Sequence, residues 1–460
     1  MAELLAKLKL TDDEQALMTR LSKRLTARAR HDIRMGKYYE GSQRLDQIGL
    51  AVPPELRRFE TVVNWPRVVV DEVVNRLEVR GFVEAGKDGA SDELLEQWEA
   101  NNLESSSPML HQETAQYGRG FVTVGTNEDD QEHPLITVEP TRQMAGLVDA
   151  RTRRALGYVR EYKDEENTRR RTLYLPGSTT WLVSGRGGWQ VEDRDDHGLG
   201  RPPVVMFLNR RRPGDWWGTS EMADAIPLTD SAARSLTNLQ VAQESIAVPG
   251  RYIFGVDPTK MVDPQTGEPI PTWEAYYTAL MVYAEKDAKA GTFDAAELSN
   301  LTGTIEHYGK LVASVSGLPL RYFVASTTNP AAEGAIRADE SRLIKNAERK
   351  ASDWGDCWGW VQGLSTRLRT GEWPDANRIK TLWFDPATPT YAERADAISK
   401  MTGGVPILSR EGAWDEMGWS EPRKAREREY FRAQELDPTL ELLDAKDGAR
   451  RAAAGAPGAG

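Results

Sequence analysis

The stretch FVASTTNPAAEGAIRADESRL, Phe323 to Leu343, divides into two unlike halves. From Val324 to Ala332 no side chain is charged. Pro330 and the polar groups of Ser326, Thr327, Thr328 and Asn329 favour a loop there. From Glu333 the pattern turns helical. Ile336, Leu343, Ala347, Trp354, Trp358, Val361 and Leu368 trace one apolar stripe, and Gly371 supplies a stop. Glu333 with Arg337, and Arg349 with Asp353, stand one turn apart, where opposite charges meet. A charge-free loop thus feeds straight into a long amphipathic helix.

Within that helix Gly355, Gly359 and Gly363 recur every fourth residue, beside the Trp354 and Trp358 stripe. An interior glycine costs roughly 1 kcal/mol relative to alanine. A row of three has two explanations: a groove where another backbone approaches, such as a neighbouring subunit's, or a bend or break in the helix.

Working towards the N-terminus, a helix over 298–316 carries Ile305, Tyr308, Val312 and Val315 on one side. A second helical pattern lies in GTSEMADAIPLTDSAARSLTNLQVAQESIAVPG, Gly218 to Gly250. There Leu228, Ala232, Leu236, Leu239 and Ile246 share a face, and Pro249 and Gly250 close it. Between the two helices sit short strand patterns, RYIFG and ALMVYAEKDA, around a proline-rich span. Residues 120–207 read as short strands separated by turn residues. In TTWLVSGRGGWQVED, Trp181 and Val183 alternate on one arm of a hairpin and Trp189 and Val191 on the other, with Gly185, Gly187 and Gly188 at the turn. Helices are expected at 11–39, at 66–77 and at 91–101, the last capped by Ser91. Beyond Pro386 and Pro389 the pattern is helical again, ending in the low-complexity tail RRAAAGAPGAG. The class is α+β.

The chain has 460 residues, 14 of them tryptophan, and a net charge of −11. That balance excludes tight wrapping of DNA, whose affinity comes from neutralising phosphates, and leaves weak sliding contact open. No apolar run approaches the ~18–20 residues of a membrane span. The first residues lack a secretory pattern, and a lone cysteine, Cys357, fits a reducing compartment. The Arg-rich stretch from Arg20 to Arg58 is either a solvated helix face or a contact for acidic partners or neighbouring subunits.

Chemistry is sparse. The five histidines are scattered, and no zinc, phosphate-loop or paired-cysteine motif occurs. SGRGGW is a hairpin turn, since no helix follows it to hold a phosphate. EDRDDHG, Glu192 to Gly198, has the wrong spacing for a calcium loop and reads as a solvated acidic loop. Cys357 lies beside Trp354 and Trp358 as a small buried apolar group. No residue stands out as catalytic, as a metal ligand or as binding a cofactor.

The order of elements is specific where single motifs are not. A helix after GTSEMADAIPLTDS, an insertion, a returning helix ending SVSGLPLRYF, a breaker-rich loop and a long helix follow one another. Together with YYEGSQRLDQIGLAVPPELRRFETVVNWPRVVVDEVVNRLEVRGF near the N-terminus and DAKAGTFDAAELSNL before the second helix, this order resembles the tailed-bacteriophage portal proteins. The resemblance is to the portals of siphophages of Gram-positive, especially actinobacterial, hosts and covers about residues 10–440.

The resemblance implies a ring, usually of twelve subunits, at one capsid vertex of the virion, assembled in the host cytoplasm, with no membrane. The ring would pass double-stranded DNA during packaging and ejection. It would dock the large terminase and a head-tail adaptor and meet the major capsid and scaffolding proteins. It further implies a wing (1–226), a first stem helix (227–248), a clip (249–297) and a second stem helix (298–317). A tunnel loop (318–332), a long helix with wing return (333–390), a helical crown (391–445) and a flexible tail (446–460) complete the order. In that scheme Arg321, Ser326, Thr327, Thr328 and Asn329 line the DNA channel and Lys310 is a channel-facing or intersubunit charge. Two other readings compete: an enzyme acting on nucleic acid or nucleotides with its site in the β-rich region, and another head or connector structural protein.

Overall fold

The structure, a computed structural model, describes residues 9–44, 62–84, 86, 90–247, 251–254, 289–292, 299–324, 333–375, 379–387, 391–403, 406–419 and 421–435. Helix α1 (Asp12–Glu40) opens on a capping box. Thr11 Oγ1 accepts from the Glu14 amide at 3.3 Å, and the Thr11 amide donates to Glu14 Oε2 at 2.9 Å. Helix α2 (Trp65–Val74) has Pro66 in its first turn and buries Val69, Val70, Val73 and Val74. It ends before Leu77, which is buried ahead of strand β1 (Val79–Glu84). Ser91 precedes helix α3 (Asp92–Ala100) as read, but its hydroxyl is engaged with Glu84 Oε1 at 3.2 Å and does not cap the helix amides.

Helix α4 (Leu103–Tyr117) has no counterpart in the sequence reading. Pro108 sits inside it, after a run of three serines. It forms because Leu103, Leu110, His111, Thr114 and Ala115 are all buried, and that burial outweighs local propensity.

Eight strands follow: β2 (Arg119–Gly125), β3 (Leu135–Glu139), β4 (Met144–Val148), β5 (Ala155–Lys163), β6 (Arg169–Tyr174), β7 (Thr179–Gly185), β8 (Gly188–Asp195) and β9 (Val204–Leu208). They form two antiparallel sheets, one ordered β3-β2-β9 and the other a meander from β4 to β8. The β7–β8 hairpin turns where expected, with Gly185 opposite Gly188. On β7 Thr179, Thr180 and Leu182 are buried, while Trp181 and Val183 are half-buried on the face opposite Leu182. On β8 Trp189 and Val191 do pack inward, against a cluster of Leu182, Leu173, Val159 and the α1 residues Met18 and Leu21. Glu192–Asp195, read as part of an acidic loop, belongs to β8, and Glu192 is ion-paired with Arg170.

Helix α5 (Ile226–Ala247) leads to strand β10 (Arg251–Phe254), which pairs antiparallel with β11 (Lys289–Thr292). RYIFG is therefore a strand, and ALMVYAEKDA lies outside the described residues. Helix α6 (Ser299–Ser316) packs on α5. Helix α7 (Glu333–Thr370) has 38 residues, a length of about 57 Å. Gly371 ends it in the left-handed region, φ 76°, donating to the Arg367 carbonyl. No ion pair joins Arg349 to Asp353, and the side chains of Glu333 and Arg337 lie outside the described residues. Strand β12 (Ile379–Trp383) returns to pair antiparallel with β1.

The chain divides into two units, Met1–Pro386 and Ala387–Gly460. In the second, helices α8 (Tyr391–Thr402), α9 (Arg410–Glu416) and α10 (Glu421–Glu435) follow one another. Trp414 stacks on Trp419 and on Phe431, at 5.9 and 5.8 Å between ring centres. Arg428 pairs with Glu411 at 2.7 Å.

Candidate functional site

The quoted junction is built from both sides. Phe323 and Val324 are buried in a cluster with Trp65, Val69, Val73, Ala232, Val312 and Leu343. Trp65 meets Phe323 edge-on at 6.2 Å. Gly309 makes room for this turn, since a Cβ there would stand 2.7 Å from Val324 Cγ2. Arg342 of α7 reaches back to the Ser314 carbonyl of α6 at 3.2 Å. The loop therefore leaves a packed platform at Val324 and rejoins α7 at Glu333. Ser326, Thr327, Thr328 and Asn329 lie outside the described residues.

Arg321 is not a free cation. Its guanidinium pairs with Asp339 at 3.1 Å and with Glu340. Glu340 also holds Arg76 at 3.0 Å and accepts from the Tyr322 hydroxyl at 3.3 Å, and Arg76 donates to the Pro386 carbonyl at 2.8 Å. Burial raises the nearby Glu72 carboxyl, against the pull of Arg76. The charge of Arg321 is thus matched by its own chain at the start of α7. Lys310, next to buried Gly309 on α6, is exposed.

A second polar centre was not singled out from the sequence. Lys350 and Glu221 are buried and paired at 2.8 Å. Glu221 also accepts from Asn209 and Asn346, each at 3.0 Å, and Lys350 donates to Asn209 Oδ1. Burial would raise the Glu221 carboxyl, but the Lys350 charge and these hydrogen bonds prevail and hold it down at about 2. The pair ties the segment entering α5 to the middle of α7. Its signal was present in the pattern: Lys350 falls between Ala347 and Trp354 on the apolar stripe. Gly218, just before Glu221, has φ 66°, and a Cβ there would stand 1.9 Å from the Gly118 carbonyl oxygen. Only glycine permits that approach.

Further along α7, Trp354 and Trp358 are 1% and 0% exposed. Trp354 donates to the Leu208 carbonyl at 3.1 Å, and Trp358 to His111 Nε2 at 3.0 Å. Trp98 and Phe207 meet Trp358 at 4.8 and 5.1 Å between ring centres. Burial pushes the His111 imidazole down to about 3, so it is neutral, with Nε2 as acceptor. The helix is unbroken at Gly355, Gly359 and Gly363, and all three are buried. Side chains of the chain's own β12 come close at Gly355: a Cβ there would stand 3.1 Å from Trp383 Nε1, and the Thr381 hydroxyl donates to the Gly355 carbonyl at 2.9 Å. Trp354 and Trp358 are thus packed within this chain, and Gly355 lies against its own β12. Cys357 is half-buried, and burial pushes its thiol up to about 12.

In the β-rich region a small cleft of about 240 Å³ is lined by Glu139, Arg160, Asp195 and His197 among others. Glu139 is tied to Arg160 at 2.9 Å and to Thr123 at 3.0 Å, and His197 Nδ1 accepts from the Leu199 amide at 3.2 Å. The bonds of Glu139 tie β2, β3 and β5 together. Among the described residues, no group of three or more His, Cys, Asp or Glu could hold a metal ion. None of the described helices is long and apolar enough to cross a membrane.

Comparison with known proteins follows the architecture. Residues 20–437 match the family described as phage portal protein, SPP1 Gp6-like. The portal protein of Mycobacterium phage D29 is 38% identical over 396 residues, spanning 83% of this chain and 81% of that protein. The portal protein of Mycobacterium phage L5 is 37% identical over 408 residues, spanning 86% and 83%. Among solved structures, the neck of an empty GTA particle computed with C6 symmetry superposes with a TM-score of 0.51 at 13% identity, covering 85% of this chain and 94% of that one. At that identity the likeness speaks for the fold. The family match over residues 20–437 and the two mycobacteriophage relatives show that the chain belongs to the phage portal protein family of the SPP1 Gp6-like type.

Proposed function

We propose that this chain forms a closed ring, of about twelve copies, around a channel through which double-stranded DNA enters and leaves the capsid. The observation that carries the reading is the family match along residues 20–437, joined to the order of helix, insertion, helix, loop and long helix. In this reading α5 and α6 are the stem and residues 249–297 the clip that docks the large terminase and then the head-tail adaptor. Residues 318–332 are the tunnel loop, 391–445 the crown facing the capsid interior, and the remainder of 1–226 and 333–390 the wing. The ring is a virion component and has no catalysis of its own; the ATP-driven force belongs to a separate terminase.

Charge supports a conduit over a clamp. Each copy carries −11. Many phosphate contacts would hold a duplex fast, because each ion pair deepens the trap, whereas an acidic or neutral wall lets it slide with its counterions. The residues from Val324 to Ala332 carry no charge, and Arg321 beside them is already paired. The test is Thr327→Asp with Thr328→Asp, scored for packaged DNA and for ring assembly. Reduced packaging or retention in intact rings is expected. Unchanged packaging removes the DNA-facing role of the loop. Deleting within 249–297 should abolish terminase or adaptor docking by otherwise intact rings.

A further inference from the structure

We infer that the cleft between the β4–β5 turn, the segment before β9 and the C-terminal half of α7 docks an extended acidic segment of a partner protein. The cleft has a volume of about 730 Å³. That lies within the roughly 300–1,000 Å³ typical of binding pockets. Arg153 and Arg154 enter it from the turn, Arg201 from the segment before β9, and Trp360 and Trp373 from α7 and the residues after it.

The charge balance is the main argument. Among the described lining residues three guanidinium groups face the cleft, and Asp375 is the one carboxylate. Arg201 lies 3.7 Å over the Trp360 ring, and among the described residues no carboxylate pairs with it. Burial lowers the pKa of Arg201, opposed only by Tyr158. Arg153 and Arg154 are exposed and likewise have no carboxylate partner among the described residues. In a chain of net charge −11 this is a local excess of positive charge. A half-buried guanidinium without a counter-ion is costly, and a ligand carboxylate would meet its planar fork with two parallel hydrogen bonds.

The turn holds its arginines in place. Asp149 Oδ1 accepts from the amides of Arg151 and Thr152, at 3.1 and 2.6 Å, and Arg153 takes a left-handed conformation, φ 57°. Trp373 is 40% exposed and stands beside Pro374, so an apolar side chain flanked by carboxylates would find an aromatic wall. A rigid duplex meets a concave cleft of this size poorly, which favours a peptide over DNA. This inference stands apart from the channel reading, since it concerns different residues and a different ligand.

The test uses the full chain and a fluorescein-labelled peptide, Gly-Glu-Asp-Pro-Leu-Glu-Asp-Gly, against its Gln/Asn counterpart, read by fluorescence anisotropy. The acidic peptide should bind saturably, weaken with added salt, and exceed the amide peptide by roughly tenfold. Arg201→Gln, and Arg153→Glu with Arg154→Glu, should each lose about tenfold in affinity, with circular dichroism unchanged. Trp373→Ala should weaken binding with no change in its salt dependence. Absence of saturable binding, or equal binding of the two peptides, overturns the inference. So does competition by a short DNA duplex as strong as that by the unlabelled peptide. If the arginine variants alter the chain's own oligomeric mass and leave peptide binding untouched, the cleft is a contact between copies and the inference is wrong.

Discussion

From Asp339 to Arg342, helix α7 lies among charges: Asp339 and Glu340 hold Arg321, Glu340 holds Arg76, and Arg342 reaches the end of α6. From Ala347 to Leu364 the same helix lies among rings and buried polar bonds, with Trp354, Trp358, His111 and the Glu221–Lys350 pair sealed from water. In the first region Arg321 and Asp339 touch water and can exchange partners at little cost, while the Arg76–Glu340 pair is largely buried. The second cannot lose a partner without leaving a void or a bare charge in the interior. A single helix thus joins a sealed core to a junction that also carries water-exposed ion pairs.

The largest effect should come from the ring-lined half. Trp358→Ala removes a fully buried indole and its bond to His111, and should cost about 3–5 kcal/mol in urea unfolding. Lys350→Met leaves the Glu221 carboxylate buried without its cation, at a cost of about 3–5 kcal/mol. Adding Glu221→Leu should recover much of that loss. If Lys350→Met alone is harmless, the buried pair does not tie the α5 entry to α7.

Acid should act on the same half in two stages. The folded His111 imidazole titrates at about 3, below its ordinary 6.5, so the unfolded chain binds more protons between those values. Its contribution is full above pH 6.5 and is lost as pH falls towards 3. Glu221, held at about 2 against an ordinary 4.5, contributes fully above 4.5 and loses that contribution as pH falls towards 2. Stability measured from neutral pH downward should therefore begin to fall below 6.5 and fall more steeply below 4.5. His111→Gln should flatten the upper stage alone. The smallest effect belongs to the charged half: Arg321→Ala, at a partly exposed pair, should change stability by about 0.2–1 kcal/mol and less in high salt.

Much of this architecture was legible in the sequence, and the failures have physical causes. Helices with uninterrupted apolar spacing and clear ends, such as α1, α5, α6 and α7, could be read directly. Helix α4 could not, because Pro108 and the serine run argue locally for a loop and only tertiary burial overrides them. On β7 the alternation of Trp181 and Val183 was visible, but not that Leu182 on the opposite face packs with α1. The glycine row was visible, but spacing alone does not say whether the approaching backbone is foreign. At Gly355, side chains of β12 in the same chain lie against it. The site was less legible than the fold. Arg321 looked available because its partners lie on the next helix. Lys350 passed unnoticed although a lysine on an apolar stripe asks for a buried anion.

The central claim is a ring around a DNA channel. It is tested most directly by native mass spectrometry and negative-stain imaging of the chain recovered from capsids assembled with its own scaffolding and capsid proteins. The account predicts a closed ring of about twelve copies with a central hole. Recovery from those capsids as a monomer or dimer, with no ring at any vertex, would contradict it.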